Sequence, residues 1–292
     1  MITRFDHAVI AVRDLDKAIH HYRTLGFDVR SGGQHVGLGT HNAIIRFGLD
    51  YIELLSIYDE TLAASSGARG EVLLNFLRKR EGGLVGYALA TTNVQQEAER
   101  LRSNLAVGEP FAMQRMRPDG NLLKWHLLVP GAVAWRRPWP FFIQWDTPDE
   151  QRLSWEEPGM HTNGATSWIG VAVAVRDLKG VANLYQHQIG LQVGPKDEVP
   201  HLVVQRATFH IGSSRIDLLK PVDEGPVRQM IAEVGEGPFE ITLAVRDLEH
   251  ARLHLTQAGA NLKPYSPDSS RVILPPHQTL GVNIILKQQE VE

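Results

Sequence analysis

The sequence predicts an α+β protein built from four βαβββ modules arranged in two pairs. Three observations carry that reading. The stretch AVRDL occurs at 11–15, 174–178 and 244–248. Each copy is entered by an alternating apolar run, left by a helical pattern, and closed by a glycine twelve or thirteen residues after its Asp. Strand-like runs then follow each helix, so the order strand–helix–strand–strand–strand recurs along the chain.

In the first module Asp14 precedes Leu15, Ala18, Ile19, Tyr22 and Leu25, the spacing of an amphipathic helix. Asp caps such a helix because its carboxylate accepts from the free N–H groups of the first turn. Gly26 supplies the left-handed residue that ends it. The design recurs from Asp177 to Gly190 and from Asp247 to Gly259. The Arg-Asp pair of the motif is therefore a helix entrance rather than a catalytic element. A diverged fourth copy, GLVGYALATTN, puts Asn93 at the cap, with Val94, Ala98, Leu101 and Leu105 on one face and Asn104 as the terminator. The expected strands are 27–30, 42–47 and 51–57 in the first module, and 111–116, 122–129 and 141–145 in the second. Those of the third are 191–193, 202–211 and 215–219, and those of the fourth 261–265, 271–274 and 282–286. Inserted helices over 70–83 and 226–235 are expected to cover the sheets.

Segment 147–165, TPDEQRLSWEEPGMHTNGA, is rich in Pro, Gly and Asn and has no apolar period. It divides the chain into predicted domains over 1–150 and 166–292, with the linker at 151–165. With 43% apolar and 22% charged residues, the chain can bury a full core. A net charge of −3, its signs interspersed, gives no reason to expect a nucleic acid or anionic membrane partner. The absence of cysteine excludes disulfides, thiolate metal sites and cysteine nucleophiles. MITRFDHAVI lacks the basic start and apolar core of a signal peptide, and no apolar run reaches 18 residues, so a cytoplasmic location is expected.

The paired, Asp-capped modules resemble the vicinal oxygen chelate superfamily, whose members include glyoxalase I, type I extradiol dioxygenases and the bleomycin- and fosfomycin-resistance proteins. The likeness is closest over 5–146, where DHAVIAVRDLDKAIHHYRTLGF, GGQHVGLGTHNAIIRFG, DYIELLSI, EGGLVGYALAT and MRPDGNLLKW resemble a glyoxalase-like domain. The resemblance implies two U-shaped mixed β-sheets with helices outside, each sheet curving around a cleft. It also implies metal ligands from the first and last strand of each module. Carried onto this chain, those positions fall on His7 and Glu53, then Gly86 and Gln144, then Gly170 and Asp217, then Glu240 and Asn283. A divalent ion (zinc, nickel, manganese or iron) on His7, Glu53 and Gln144 is thus implied for the N-terminal cleft. Gly86 offers no side chain, which leaves a metal-free cleft as the alternative. No His stands at 170 or 240, so the iron site of the extradiol dioxygenases is not expected. The C-terminal half is expected to be mainly structural.

His7 opens an apolar strand, and Glu53 stands in the otherwise apolar YIELLSI. A buried carboxylate without a partner is expensive, so two polar groups on inward strand positions read as one shared site. The plain alternative is a pair of hydrogen-bonded structural residues. Glu53 and His7 are the candidate catalytic residues, with Glu53 as general base. In GGQHVGLGTHNA the glycines allow close backbone approach, and His35 and Asn42 are candidate substrate contacts. Arg115 and Arg117, in MQRMRPDGNLLKW, are candidates because arginine grips carboxylates with two parallel hydrogen bonds. Trp125 and His126 alternate faces, so one of them looks inward, and Trp125 joins the candidates beside Gln144. Trp135, Trp139, Phe141, Phe142 and Trp145 form an aromatic set suited to the core or to an apolar pocket. The expected activity is of glyoxalase type, a lyase or isomerase abstracting a proton from a small oxygen-rich or oxo-acid metabolite. The alternative is a binding protein of the bleomycin-resistance type that sequesters its ligand without turnover. The expected partner is a small molecule, with a homodimer left open.

Overall fold

The computed structural model describes residues 1–132, 134–266 and 270–289; the last three residues of the expected second domain lie outside them. The first sheet contains β1 (Ile2–Val12), β2 (Val29–His35), β3 (Thr40–Arg46), β4 (Tyr51–Ile57), β5 (Gly82–Thr91), β6 (Phe111–Met116), β7 (Leu122–Leu128) and β8 (Phe141–Trp145). Its order is β1-β4-β3-β2-β6-β7-β8-β5, and it closes into a barrel. The second contains β9 (Ala165–Ala174), β10 (Gln192–Val199), β11 (Val204–Ile211), β12 (Ser214–Pro221), β13 (Gly237–Val245), β14 (Lys263–Pro264), β15 (Arg271–Leu274) and β16 (Asn283–Gln288). Its order is β10-β11-β12-β9-β13-β16-β15-β14, and it stays open. The helices are α1 (Leu15–Thr24), α2 (Glu60–Ser65), α3 (Ala68–Lys79), α4 (Val94–Leu101), α5 (Asp149–Leu153), α6 (Leu178–Asn183), α7 (Pro226–Val234) and α8 (Leu248–Gln257), α6 continuing as a π-turn through Ile189. This is the expected mixed α+β architecture. Among the described residues no helix is long and apolar enough to cross a membrane.

Each module helix begins as its cap predicts. Asp14 accepts from Lys17 N at 3.0 Å, Asn93 from Gln96 N at 3.0 Å, Asp177 from Gly180 N at 3.0 Å and Asp247 from His250 N at 3.0 Å. Gly26, Gly190 and Gly259 are left-handed, with φ of 83°, 80° and 84°. Asn104 is not: α4 ends at Leu101, and its cap Arg102 keeps right-handed helical angles. β2 outruns its expected end at Arg30. Gly33, with φ of 127°, makes an irregularity that carries the strand on to His35. A Cβ there would overlap the carbonyl of Met116, so glycine is what lets β2 approach β6. The two strands pair at Gln34↔Met116 and His35↔Arg115, which closes the barrel within one chain.

The two sheets pack on a common core. Strand alternation sends Ala8, Ile10 and Val12 of β1 and Ile52 and Leu54 of β4 into it, beside Val171, Val173, Ile241 and Leu243 of the second sheet. Phe5 stacks on Trp168 with ring centroids 4.3 Å apart. The hydroxyls of Tyr87 and Tyr185 are hydrogen-bonded to each other, and Tyr185 donates to Pro138 O at 3.0 Å. The opposite set of β1 side chains, His7, Val9 and Ala11, faces the barrel lumen, which α3 plugs with Leu73 and Leu77. Segment 147–165, expected to be irregular, contains α5, and the side chain of Arg152 within it is wholly buried.

Candidate functional site

The barrel lumen is a hollow of about 900 Å³, its mouth included. Its walls are apolar: Val9, Leu55, Leu73, Trp125, Phe141 and Trp145 all contribute. Against this background a small polar group gathers at one side. His7 comes from β1, His35 from the end of β2, Thr40 and Asn42 from β3, Glu53 from β4 and Arg115 from β6. All are buried.

Glu53 is the centre of the group. Its Oε1 accepts from Asn42 Nδ2 at 2.6 Å and lies 3.6 Å from His35 Nε2, while Oε2 lies 3.7 Å from His7 Nε2. Each imidazole is anchored through its other nitrogen. His7 Nδ1 donates to Asp6 Oδ1 at 2.6 Å, and His35 Nδ1 lies 2.9 Å from Thr40 Oγ1. Burial opposes the charge on Asp6, but Arg4 at 2.7 Å and the His7 bond outweigh it and hold the carboxyl well below the usual range. Burial pushes His35 down to about 4, so it is neutral at pH 7. Tyr51 stacks on His7 with centroids 4.6 Å apart, and the Arg46 guanidinium lies 4.6 Å from the Tyr51 ring.

A second layer stands behind Glu53. Arg115 Nη1 donates to Asn42 Oδ1 at 3.2 Å, which turns the amide so that its nitrogen meets the carboxylate. Arg115 Nη2 donates to Glu156 Oε1 at 3.1 Å. Glu156 also pairs with Arg46 and Arg152, each at 3.1 Å. Burial opposes its charge, yet the three guanidinium groups hold it below the ordinary range. Gly32 makes room for this layer, since a Cβ there would overlap Asn42 Oδ1 and Arg115 Nη1. Gly32→Ala is therefore expected to cost about 1–3 kcal/mol through the displaced amide. The readout is a lowered urea midpoint at unchanged slope; an unchanged midpoint would mean that the amide moves aside freely.

The structure brings together His7, His35, Asn42, Glu53, Arg115 and Trp125 from the sequence-predicted set. It does not bring in Arg117, which pairs with Asp119 at 3.0 Å and lies over Trp155. One-residue alternation explains this, for β6 turns Arg115 inward and the next odd position lies past the end of the strand. Gln144 is a second correction. Its Oε1 accepts from Val94 N at 3.0 Å and helps cap α4, while Phe141, Ile143 and Trp145 face the lumen. The register explains the error. Val9 pairs with Glu53, and Ala88, its counterpart in β5, pairs with Phe141. Phe141 thus stands where the resemblance expected Gln144. By the same reasoning Ile285, paired with Thr242, replaces Asn283 in the fourth module.

The corrected register bears on the metal. The four positions that the resemblance marks in the N-terminal hollow fall on His7, Glu53, Gly86 and Phe141, and the last two offer no donor atom. A Cβ on Gly86 would lie 3.2 Å from Phe141 and 3.4 Å from Trp135, so aromatic carbon occupies the space of the missing ligands. Among the described residues no group of three His, Asp or Glu side chains is arranged to hold an ion. The residues present do not fit the four-position metal site. Two parts of the site were invisible in the sequence. Tyr51 looked like any strand aromatic, and Glu156 lies 103 residues from Glu53 in a segment read as linker. Asp6 had a signal in its adjacency to His7.

A family model described as a glyoxalase-like domain matches residues 5–187. The ethylmalonyl-CoA/methylmalonyl-CoA epimerase of Cereibacter sphaeroides is 35% identical over 95 residues, which are 32% of this chain and 70% of that protein. Among solved structures, a hypothetical protein from Staphylococcus aureus has a TM-score of 0.69 at 17% identity, covering 99% of this chain and 100% of that one. A variant 4-hydroxymandelate synthase from Streptomyces coelicolor has a TM-score of 0.66 at 12% identity, covering 98% and 92%. These two likenesses establish a fold shared over the whole chain.

Proposed function

The chain belongs to the glyoxalase-like domain family of the vicinal oxygen chelate superfamily, and from that premise we propose that its N-terminal hollow inverts or isomerises a small carbonyl metabolite by moving a proton. The observation that carries this reading is the meeting of two imidazoles on the two oxygens of Glu53, at the polar side of an otherwise apolar hollow. Glu53 takes the proton from the carbon beside a carbonyl, and the C–H electron pair moves onto the carbonyl oxygen as an enolate. With the Thr40 hydroxyl donating to Nδ1, neutral His35 bears its hydrogen on Nε2 and donates it to that oxygen. His7, whose Nδ1–H is fixed on Asp6, keeps Nε2 open toward Glu53 and exchanges the abstracted proton. Return of the proton to either face of the enolate completes an epimerisation. The epimerase relative, named for 2-substituted malonyl thioesters, supports this class of chemistry. The aromatic walls suit a substrate with an apolar body and one oxygen-rich end.

Two-dimensional NMR of 2-substituted malonyl thioesters and β-oxo acids in deuterated buffer tests the reading. Catalysed loss of the hydrogen beside the carbonyl is expected for at least one of them. Binding without exchange would instead favour sequestration, a reading that the aromatic filling at Gly86 and Phe141 supports. Treatment with EDTA followed by desalting is expected to leave the exchange rate within about twofold, because the hollow lacks a full ligand set. Loss of activity restored by a divalent ion would overturn that expectation.

A further inference from the structure

The open sheet has a hollow of its own, separate from the barrel lumen. Arg206, Arg215, Asp217, Glu240, Tyr265 and His201 line it. Asp217 stands where Glu53 stands in the first module, and Glu240 stands where His7 stands. Asp217 is fully engaged: Thr208 Oγ1 donates to it at 2.6 Å, Arg215 Nε lies 3.1 Å away and Arg206 lies 3.9 Å away. Arg206 is in turn held by Asp197 at 2.8 Å.

Glu240 differs. It is buried at 5% exposure, its Oε1 accepts from Tyr265 at 2.6 Å, and its Oε2 has no hydrogen-bond partner among the described residues. A buried carboxyl oxygen without a partner, in a residue that lines a hollow, is rare and calls for a cause. Arg215 presents a matching feature. Its Nε serves Asp217, while its two terminal nitrogens make no hydrogen bond among the described residues. Three arginines on the rim disfavour a cation. A guanidinium fork and an unpartnered carboxyl oxygen on two residues lining one hollow fit a carboxylate, which accepts from both when Glu240 carries a proton.

We propose that this C-terminal hollow is a second small-molecule site, taking a small carboxylate between the Arg215 guanidinium and the Glu240 carboxyl. The protonation of Glu240 follows from its surroundings. Burial and the neighbouring Asp217 raise it, Tyr265, Arg215 and Arg271 oppose them, and the net result is about 7. Of the other titratable groups lining the hollow, His201 meets the Tyr265 ring edge-on, Arg206 lies 3.9 Å from Asp217, and Glu198 stands on β10. Carboxylate binding therefore requires the proton on Glu240 and weakens as pH rises.

Calorimetric and NMR titration of the full chain with acetate, pyruvate and malonate, at pH 6 and pH 8, tests this proposal. At least one is expected to bind at pH 6 and to bind about tenfold more weakly at pH 8, following the protonated fraction of a group titrating near 7. Glu240→Gln, whose amide always has a hydrogen to give, is expected to bind as well at pH 8 as at pH 6. Arg215→Met is expected to abolish binding, and Glu53→Gln, in the other hollow, to leave it unchanged. Absence of binding by all three ligands at about 10 mM, ten times a millimolar Kd, would overturn the proposal. Binding that survives Arg215→Met, or that ignores pH, would overturn it equally. Thermal unfolding gives a check that needs no ligand. Burial keeps the proton on Glu240 in the folded chain up to about 7, above the ordinary glutamate value of 4.5, so its contribution is full below 4.5 and lost as pH rises through 7. The melting temperature of Glu240→Gln relative to the parent should therefore rise between pH 5 and pH 8; a constant difference would overturn the protonated carboxyl.

Discussion

Replacing Glu53 with glutamine is expected to slow proton exchange on a bound carbonyl compound by about 10²–10⁴-fold, the range over which a positioned general base acts. Glutamine keeps an oxygen to accept from Asn42 Nδ2, which now donates at 2.6 Å, and it keeps the volume of the side chain. The polar layer behind it, from Arg115 through Asn42, therefore has reason to persist. Ligand affinity should change little while turnover collapses, and that split separates loss of a base from loss of the hollow. The measurement is the deuterium-exchange rate at saturating substrate, alongside a calorimetric Kd. Undiminished exchange would remove Glu53 from the chemistry and return it to the role of a structural acceptor. Loss of binding and turnover together would instead point to a collapsed lumen.

Arg152→Ala is expected to have the largest effect on stability. Its guanidinium is 0% exposed, lies 3.6 Å from the Trp145 ring centroid and pairs with Glu156 at 3.1 Å and Asp149 at 3.4 Å. Removing one partner of a buried ion pair costs about 3–5 kcal/mol, because the charge left behind has lost its compensation. Here the cost is softened where Arg46 and Arg115 still face Glu156, and sharpened where Trp145 loses its support. A fall of about 10 °C in melting temperature is expected for a chain of this size. Arg152→Met, which restores the stem but not the charge, should recover part of it. A shift of a degree or less for Arg152→Ala would mean that the buried network is energetically neutral. It would also mean that Glu156 holds Arg115 without help from α5.

Both predictions concern residues that the chain advertises unequally. His7 and Glu53 were legible because each interrupts an apolar strand, and alternation fixes which side of its own strand a residue takes. The helix caps at Asp14, Asn93, Asp177 and Asp247 were legible for a similar reason: a cap bonds to backbone two or three residues away. The glycines at 32 and 33 could be read as places of close approach, though not what approaches them. The sequence suggests that Arg115 grips substrate, whereas its guanidinium holds Asn42 and Glu156.

What lay beyond the sequence is of one kind. Whether Phe141 or Gln144 stands opposite the first module's acid depends on the register of β5 against β8, strands about fifty residues apart. The closing of β2 on β6, and the arrival of Glu156 and Arg152 beneath the polar group, depend on contacts between still more distant parts of the chain. So does the orphaned oxygen of Glu240 in a half expected to be structural. Local hydrogen bonds and strand alternation act between near neighbours, so they leave a written pattern. Register and burial are settled by the packing of distant segments, where many sequences satisfy the same geometry and no short motif records the outcome.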